Sequence, residues 1–334
     1  MSIFTPTKQY RPFKYPKLME FAAEQNIALA WHEGQIDLSS DISQYHSKNG
    51  LATDNVSHES NKNNLTKMLT LFTQMDVGAG QLYAELAPHV KNNEARNWLL
   101  SAGNKEGVHQ RAYALAVETL DFPESTWGEF MEYKEMQDKI DLMTGIEGRD
   151  HSKPLDFAKT LVQLLLAEGI CLFGAFACML NLKRFGKISG TNTINEWSLR
   201  DEERHVEGNI IMLKAIIRED LTASDIDRLY SFIISIADAY VEAEHRFIEL
   251  VFEMGDQEGM TEQDMKDYIT YLGQVRLHQL GFKVQPVPNP LNWMAFVLGG
   301  EQHSNFFEKK ETAYDHEGLE GVIDYSKYTN ITKN

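Results

Sequence analysis

Three Glu-x-x-His motifs stand in the sequence, Glu106 with His109, Glu202 with His205, and Glu242 with His245. On a helix the i, i+3 spacing sets both side chains on one face, so one cation can be shared. A hard carboxylate beside a borderline imidazole suits iron or manganese, and zinc as well. One copy is weak evidence, because a chain with 30 Glu and 11 His produces such pairs by chance. A two-metal site in a four-helix bundle needs more: two Glu-x-x-His helices plus one carboxylate from each of two others. Glu168 stands alone in a strongly apolar stretch, where an unpaired ionised carboxylate is costly. Asp76 follows the apolar run 69–75. Four helices in order thus offer Asp76, Glu106 with His109, Glu168, and Glu202 with His205. Six ligands for two metals leave open positions, as oxygen chemistry requires. The third copy lies among Glu244, Arg246 and Glu249 and reads as a solvated face. Tyr113 falls four residues after His109 and seven after Glu106, on the same stripe. Beside a redox metal pair it could be oxidised to a phenoxyl radical; without one it is a core tyrosine.

The elements that must position these residues follow from a 3.6-residue apolar period. Helices are expected over about 63–86, 94–120, 155–182, 192–217, 223–252 and 261–281. Prolines cluster at Pro6, Pro12 and Pro16 and again at Pro286, Pro288 and Pro290, leaving a proline-poor interior that reads as helical. Strand-like alternation is scarce, so the class is all-α. The segment 40–61 reads as an exposed loop, and the stretch after 309 as a mobile tail. Residues 161–182 are long enough to cross a bilayer by the ~20-residue rule. Gln163 and Glu168 inside that run favour the central helix of a bundle, with no membrane span.

Composition bounds the function. There are 32 Lys+Arg against 49 Asp+Glu, a formal net charge of −17, which argues against a nucleic-acid partner. Cys171 and Cys178, seven residues apart on one helix, lie about 10 Å apart, beyond disulfide reach. A reduced, cytoplasmic compartment follows as the expectation, and the first 16 residues lack the apolar core of a signal peptide.

Several stretches together carry a family likeness. They are Trp31 with Ile36-Asp37-Leu38-Ser39; Phe72-Thr73-Gln74-Met75-Asp76-Val77; Glu106-Gly107-Val108-His109-Gln110-Arg111-Ala112-Tyr113; Ala167-Glu168-Gly169; and Arg200-Asp201-Glu202 with His205. Asn289-Pro290-Leu291-Asn292-Trp293-Met294 leads on to Asn305-Phe306-Phe307-Glu308. Over nearly its whole length the chain resembles the radical-generating small subunit of class I ribonucleotide reductase.

The resemblance implies a ferritin-like helical bundle with added helices, an N-terminal arm and first helix over 1–30, the bundle over 31–308 and a flexible tail over 309–334. It implies a dinuclear centre, di-iron first, with dimanganese or a manganese–iron pair as alternatives. Asp76, Glu106 and His109 would hold one metal, and Glu168, Glu202 and His205 the other. Tyr113 matches the radical tyrosine, and Trp31 and Asp201 match a path that reaches the cluster through His109. A tail tyrosine, Tyr314 ahead of Tyr325 and Tyr328, would relay the radical to the catalytic large subunit that reduces ribonucleotides. A homodimer and a flavoprotein activator belong to the same expectation.

The chain also departs from the family pattern. The Asp76–Glu106 interval is about one residue short, Leu172, Phe176 and Ser198 make a less apolar radical pocket, and the last residues 330–334 lack a hydrophobic acidic ending. The alternatives are a ferritin-like di-metal oxidase or monooxygenase acting on a small organic substrate, which would lack the Trp31–Asp201 path, and a storage bundle, which would take up many metals.

Overall fold

The computed structural model describes residues 2–9, 12–129, 132–285 and 287–294. Pro16 supplies the fixed φ that starts α1, Pro16–Ala23. α2 spans Ser39–His46. α3, His58–Leu86, begins where the Ser57 hydroxyl accepts from the Ser60 N–H, and α4, Asn93–Thr119, where Asn92 accepts from the Ala95 N–H. A one-turn α5, Thr126–Glu129, and α6, Lys134–Thr144, lead to α7, Pro154–Leu166. A π-turn at Ala167–Cys171 joins α7 to α8, Phe173–Arg184. α9 covers Ser189–Glu219, α10 Ala223–Val251 and α11 Glu262–Gln279. Reciprocal capping boxes, Thr222 with Asp225 and Thr261 with Asp264, start the last two.

The described residues contain no strand, only one isolated bridge between Gln257 and Met260. α3 and α4 pack along each other, and α9 packs against both α4 and the broken α7–α8 rod. The rod, Pro154–Arg184, is long and apolar enough to cross a membrane. Its most apolar stretch lies wholly inside the protein, so here it is the axle of the bundle.

Two expectations about the elements need correction. The segment 40–61 is not all loop, since most of α2 lies in it and α3 starts at His58. Its helix shows no apolar stripe because a tertiary contact fixes it. α9 begins after Ile188, a non-glycine residue at φ 44° that offers no side-chain cap. Asp41 of α2 takes over that role, accepting the N–H groups of Gly190 and Thr191 at 3.0 and 2.6 Å and the Thr191 hydroxyl at 2.8 Å. Secondly, the helix expected over 155–182 is interrupted by the π-turn, which carries Glu168. Single π-turns of this kind re-aim a side chain without ending the helix.

Candidate metal centre

Four elements converge on one buried point. α3 brings Asp76, α4 brings Glu106 and His109, the π-turn brings Glu168, and α9 brings Glu202 and His205. Each of the six is at most 1 % exposed. One donor atom from each of Asp76, Glu106, His109 and Glu202 lies within 4.8 Å of the other three, and the same holds for Glu106, Glu168, Glu202 and His205. Glu106 and Glu202 therefore face both halves. His109 Nδ1 is 3.1 Å from Glu202 Oε1 and 3.5 Å from Glu106 Oε2. His205 Nδ1 is 3.0 Å from both Glu106 Oε1 and Glu202 Oε2, and 3.4 Å from Glu168 Oε1.

The donor set fits two cations. Asp76 Oδ2, both Glu106 oxygens, Glu168 Oε1, Glu202 Oε1 and His109 Nδ1 are buried without a well-formed hydrogen bond. No lysine or arginine pairs with these four carboxylates among the described residues. Burial pushes the Asp76 carboxyl well above its usual range and that of Glu168 up to about 8. Burial opposes charge on both imidazoles, yet the surrounding carboxylates outweigh it and hold His109 and His205 well above the ordinary histidine range. Without a cation the cluster would be held together by trapped protons; two divalent metals would replace them.

Side chains beyond the donors orient them. Asp201, next to Glu202, accepts the Trp31 indole N–H at 2.8 Å and faces His109 Nε2 at 3.4 Å. Trp31 stacks on His109, ring centres 5.8 Å apart. Burial alone would raise Asp201, but His109, Lys105 and the Trp31 N–H bring it down to about 2. An ionised Asp201 fixes which His109 nitrogen points at the cluster. Tyr113 is 1 % exposed and stacks on Phe72 at 4.3 Å, with Phe176 beyond. Its hydroxyl makes no well-formed hydrogen bond. Burial and the Asp76 charge push its phenol well above the ordinary range, while nearby Ser198 works weakly the other way.

Sequence reasoning missed a second buried tyrosine. Tyr83 donates to Glu168 Oε2 at 3.0 Å, Asn209 donates to the Tyr83 hydroxyl at 2.9 Å, and the Trp98 indole donates to Asn209 at 3.0 Å. The signal was present: Tyr83 follows Asp76 by seven residues and Asn209 follows Glu202 by seven, as Tyr113 follows Glu106.

The third Glu-x-x-His copy is only partly the solvated face expected. Glu242 is exposed and His245 is spent on the Lys266 carbonyl at 3.0 Å. Glu244 between them is fully buried and paired with equally buried Lys139, since it faces the core side of α10. A separate group, Glu85, His89 and His151, also gathers at the end of α3. There Arg149 donates to the Thr160 hydroxyl, which meets His151 Nε2 at 2.9 Å and leaves Nδ1 for Glu85 at 3.2 Å. Those hydrogen bonds satisfy His151 without a metal. Tyr314, Tyr325, Tyr328 and Asn305–Glu308 lie outside the described residues.

Comparison with known proteins agrees with this geometry. The family model described as "Ribonucleotide reductase, small chain" matches residues 7–285. A protein of invertebrate iridescent virus 3 named as a ribonucleoside-diphosphate reductase small subunit is 28 % identical, covering 93 % of this chain and 85 % of its own. The beta subunit of Chlamydia pneumoniae ribonucleoside-diphosphate reductase is 24 % identical over 93 % of this chain and 90 % of its own. Among solved structures, the ribonucleotide reductase R2 subunit from Clostridium botulinum superposes with a TM-score of 0.77 at 19 % identity, covering 89 % of this chain and 94 % of that one. With a buried cluster of four carboxylates and two imidazoles in a helical bundle and a family match over most of its length, the chain belongs to the ribonucleotide reductase small-chain family, oxidoreductase subunits that pair with a large catalytic subunit.

Proposed function

We propose that the cluster holds two metals, di-iron first, with dimanganese or manganese–iron as alternatives, and that it serves to generate a radical on Tyr113 for export to the large subunit. The bound pair would supply oxygen activation and oxidising power. Asp76, Glu106 and His109 would hold one metal and Glu168, Glu202 and His205 the other, with Glu106 and Glu202 offering a donor atom to both groups. The observation that carries this reading is the set of buried carboxylate oxygens without a well-formed hydrogen bond, packed around two imidazoles and paired with no lysine or arginine among the described residues.

The protein's own residues would then act in sequence. Tyr113 would give up one electron and its hydroxyl proton to the oxidant that the bound pair supplies, and the aromatic walls of Phe72 and Phe176 would keep water away from the product. His109, held by Asp201, connects the cluster to Trp31 through a short hydrogen-bonded and stacked path. This path favours radical export over a di-metal oxidase acting on a small molecule. Onward transfer through the tail, with Tyr314 as relay, a homodimeric assembly, a flavoprotein activator and a cytoplasmic location complete the proposal.

The test is metal analysis and electron paramagnetic resonance on protein matured in cells. Wild-type protein should carry about two metals per chain and a narrow tyrosyl signal. Tyr113→Phe should keep the metals and lose that signal, and Glu168→Ala should lose metal. A tyrosyl signal unchanged in Tyr113→Phe would overturn the radical assignment.

A further inference from the structure

Arg276, in the last turn of α11, has no part in the donor set and is fully buried. Its Nε donates to the Gly169 carbonyl at 3.0 Å, one residue from Glu168. One terminal nitrogen donates to Glu203 Oε1 at 2.6 Å, one residue from Glu202. The other donates to Gln279 at 3.0 Å, and the guanidinium lies over the Phe173 ring at 5.1 Å. One planar cation thus joins the backbone beside one ligand to the side chain beside another.

Two further observations make this a built contact. A π-turn shifts the helical hydrogen-bond ladder and leaves carbonyls to be satisfied from elsewhere. At this break Arg276 takes Gly169 and the Lys139 ammonium takes Cys171, at 2.7 Å. Gly169 also has no room for a side chain. A Cβ there would sit 2.7 Å from Arg276 Nε, 3.2 Å from its Cδ and 3.1 Å from a Val206 methyl.

We propose that Arg276 is a positioning residue for the metal centre, tying the Glu168 turn to the Glu202 segment of α9 so that the two ligand-bearing segments hold a fixed separation. This rests on the reading that the cluster binds two metals. A lysine could not serve equally, because a point charge on a flexible stem cannot span a carbonyl and a carboxylate in one fixed plane. Loosening the tie would let the Glu168 turn drift and should weaken whichever metal depends on Glu168.

The full-length chain, stripped of metal and titrated with Mn2+, tests this by electron paramagnetic resonance and chelator competition. Wild type should take two equivalents and show a spin-coupled pair. Arg276→Lys, and Gly169→Ala, which crowds the guanidinium while keeping its charge, should bind the second equivalent about 10–100-fold more weakly and show isolated Mn2+ instead. Glu203→Gln, at the more exposed end of the contact, should show a smaller loss of the same kind and serves if the other variants do not fold. Unchanged affinities and an unchanged coupled signal in a folded variant, even one with a lowered melting temperature, would overturn the proposal. A wild-type chain that shows no coupled pair would overturn the metal reading and this inference together.

Discussion

Asp201 concentrates several constraints in one side chain. It is fully buried, accepts from Trp31, faces His109 and lies 3.5 Å from the Lys105 ammonium. Its burial is outweighed by His109, Lys105 and the Trp31 N–H, which bring its carboxyl down to about 2 and so keep it ionised at neutral pH. Asparagine in its place would keep the size and an oxygen that can accept from His109 Nε2, and would lose the charge that Trp31 and His109 face. Asp201→Asn should therefore retain the metals while cutting reductase activity with the large subunit by about 10–100-fold. Turnover and metal content measured on the same preparation check this, and equal loss of both would show a ligand-orienting role alone. The six candidate donors could be singled out in the sequence because four form i, i+3 pairs, Glu168 stands alone in an apolar stretch and Asp76 follows an apolar run. Tyr83, Asn209 and Trp98 were not singled out, since their hydrogen bonds join α3, α4 and α9 across more than 100 residues of chain in two of the three links.

At the scale of elements, the break between α7 and α8 is held by charge inside the core. Lys139 of α6 reaches the Cys171 carbonyl and pairs with Glu244 of α10. Burial outweighs that pairing and pushes the Glu244 carboxyl from 4.5 up to about 7. The folded chain then holds a proton that the unfolded chain has released between those two values. The resulting stability is complete below pH 4.5 and is lost as pH rises through 7, on the order of 3 kcal/mol. Glu244→Gln should flatten this part of the profile, because an amide has no proton to release as pH rises. Urea unfolding of both proteins at pH 5 and pH 8 measures the difference, and parallel slopes would contradict it. The long helices were readable from their apolar period. α2 and α6 were not, because Asp41 is satisfied by α9 and Lys139 by α10, partners that local pattern does not reveal.

For the whole molecule, the net charge of −17 overstates what the surface carries. Asp76, Glu106, Glu168 and Glu202 are among its 49 acidic residues and lie buried where two cations would balance them. Under the proposed function, residues 309–334 would carry the pairing with the large subunit. A chain ending at 308 should load metal and form the Tyr113 radical normally, yet show no reduction when mixed with the large subunit. A peptide spanning 309–334 should inhibit the full-length pair. Undiminished turnover by the shortened chain would move the docking contact elsewhere. The apolar rod from Pro154 to Arg184 also matters before the protein is finished. On the ribosome it emerges ahead of α9 and α10, which pack against it. At roughly 5–20 residues per second, their synthesis takes several seconds. During that interval the nascent chain has only the earlier helices α3 and α6 to cover its most water-averse segment. Chaperone supply and translation speed should therefore govern the yield of this protein more than the stability of its finished fold.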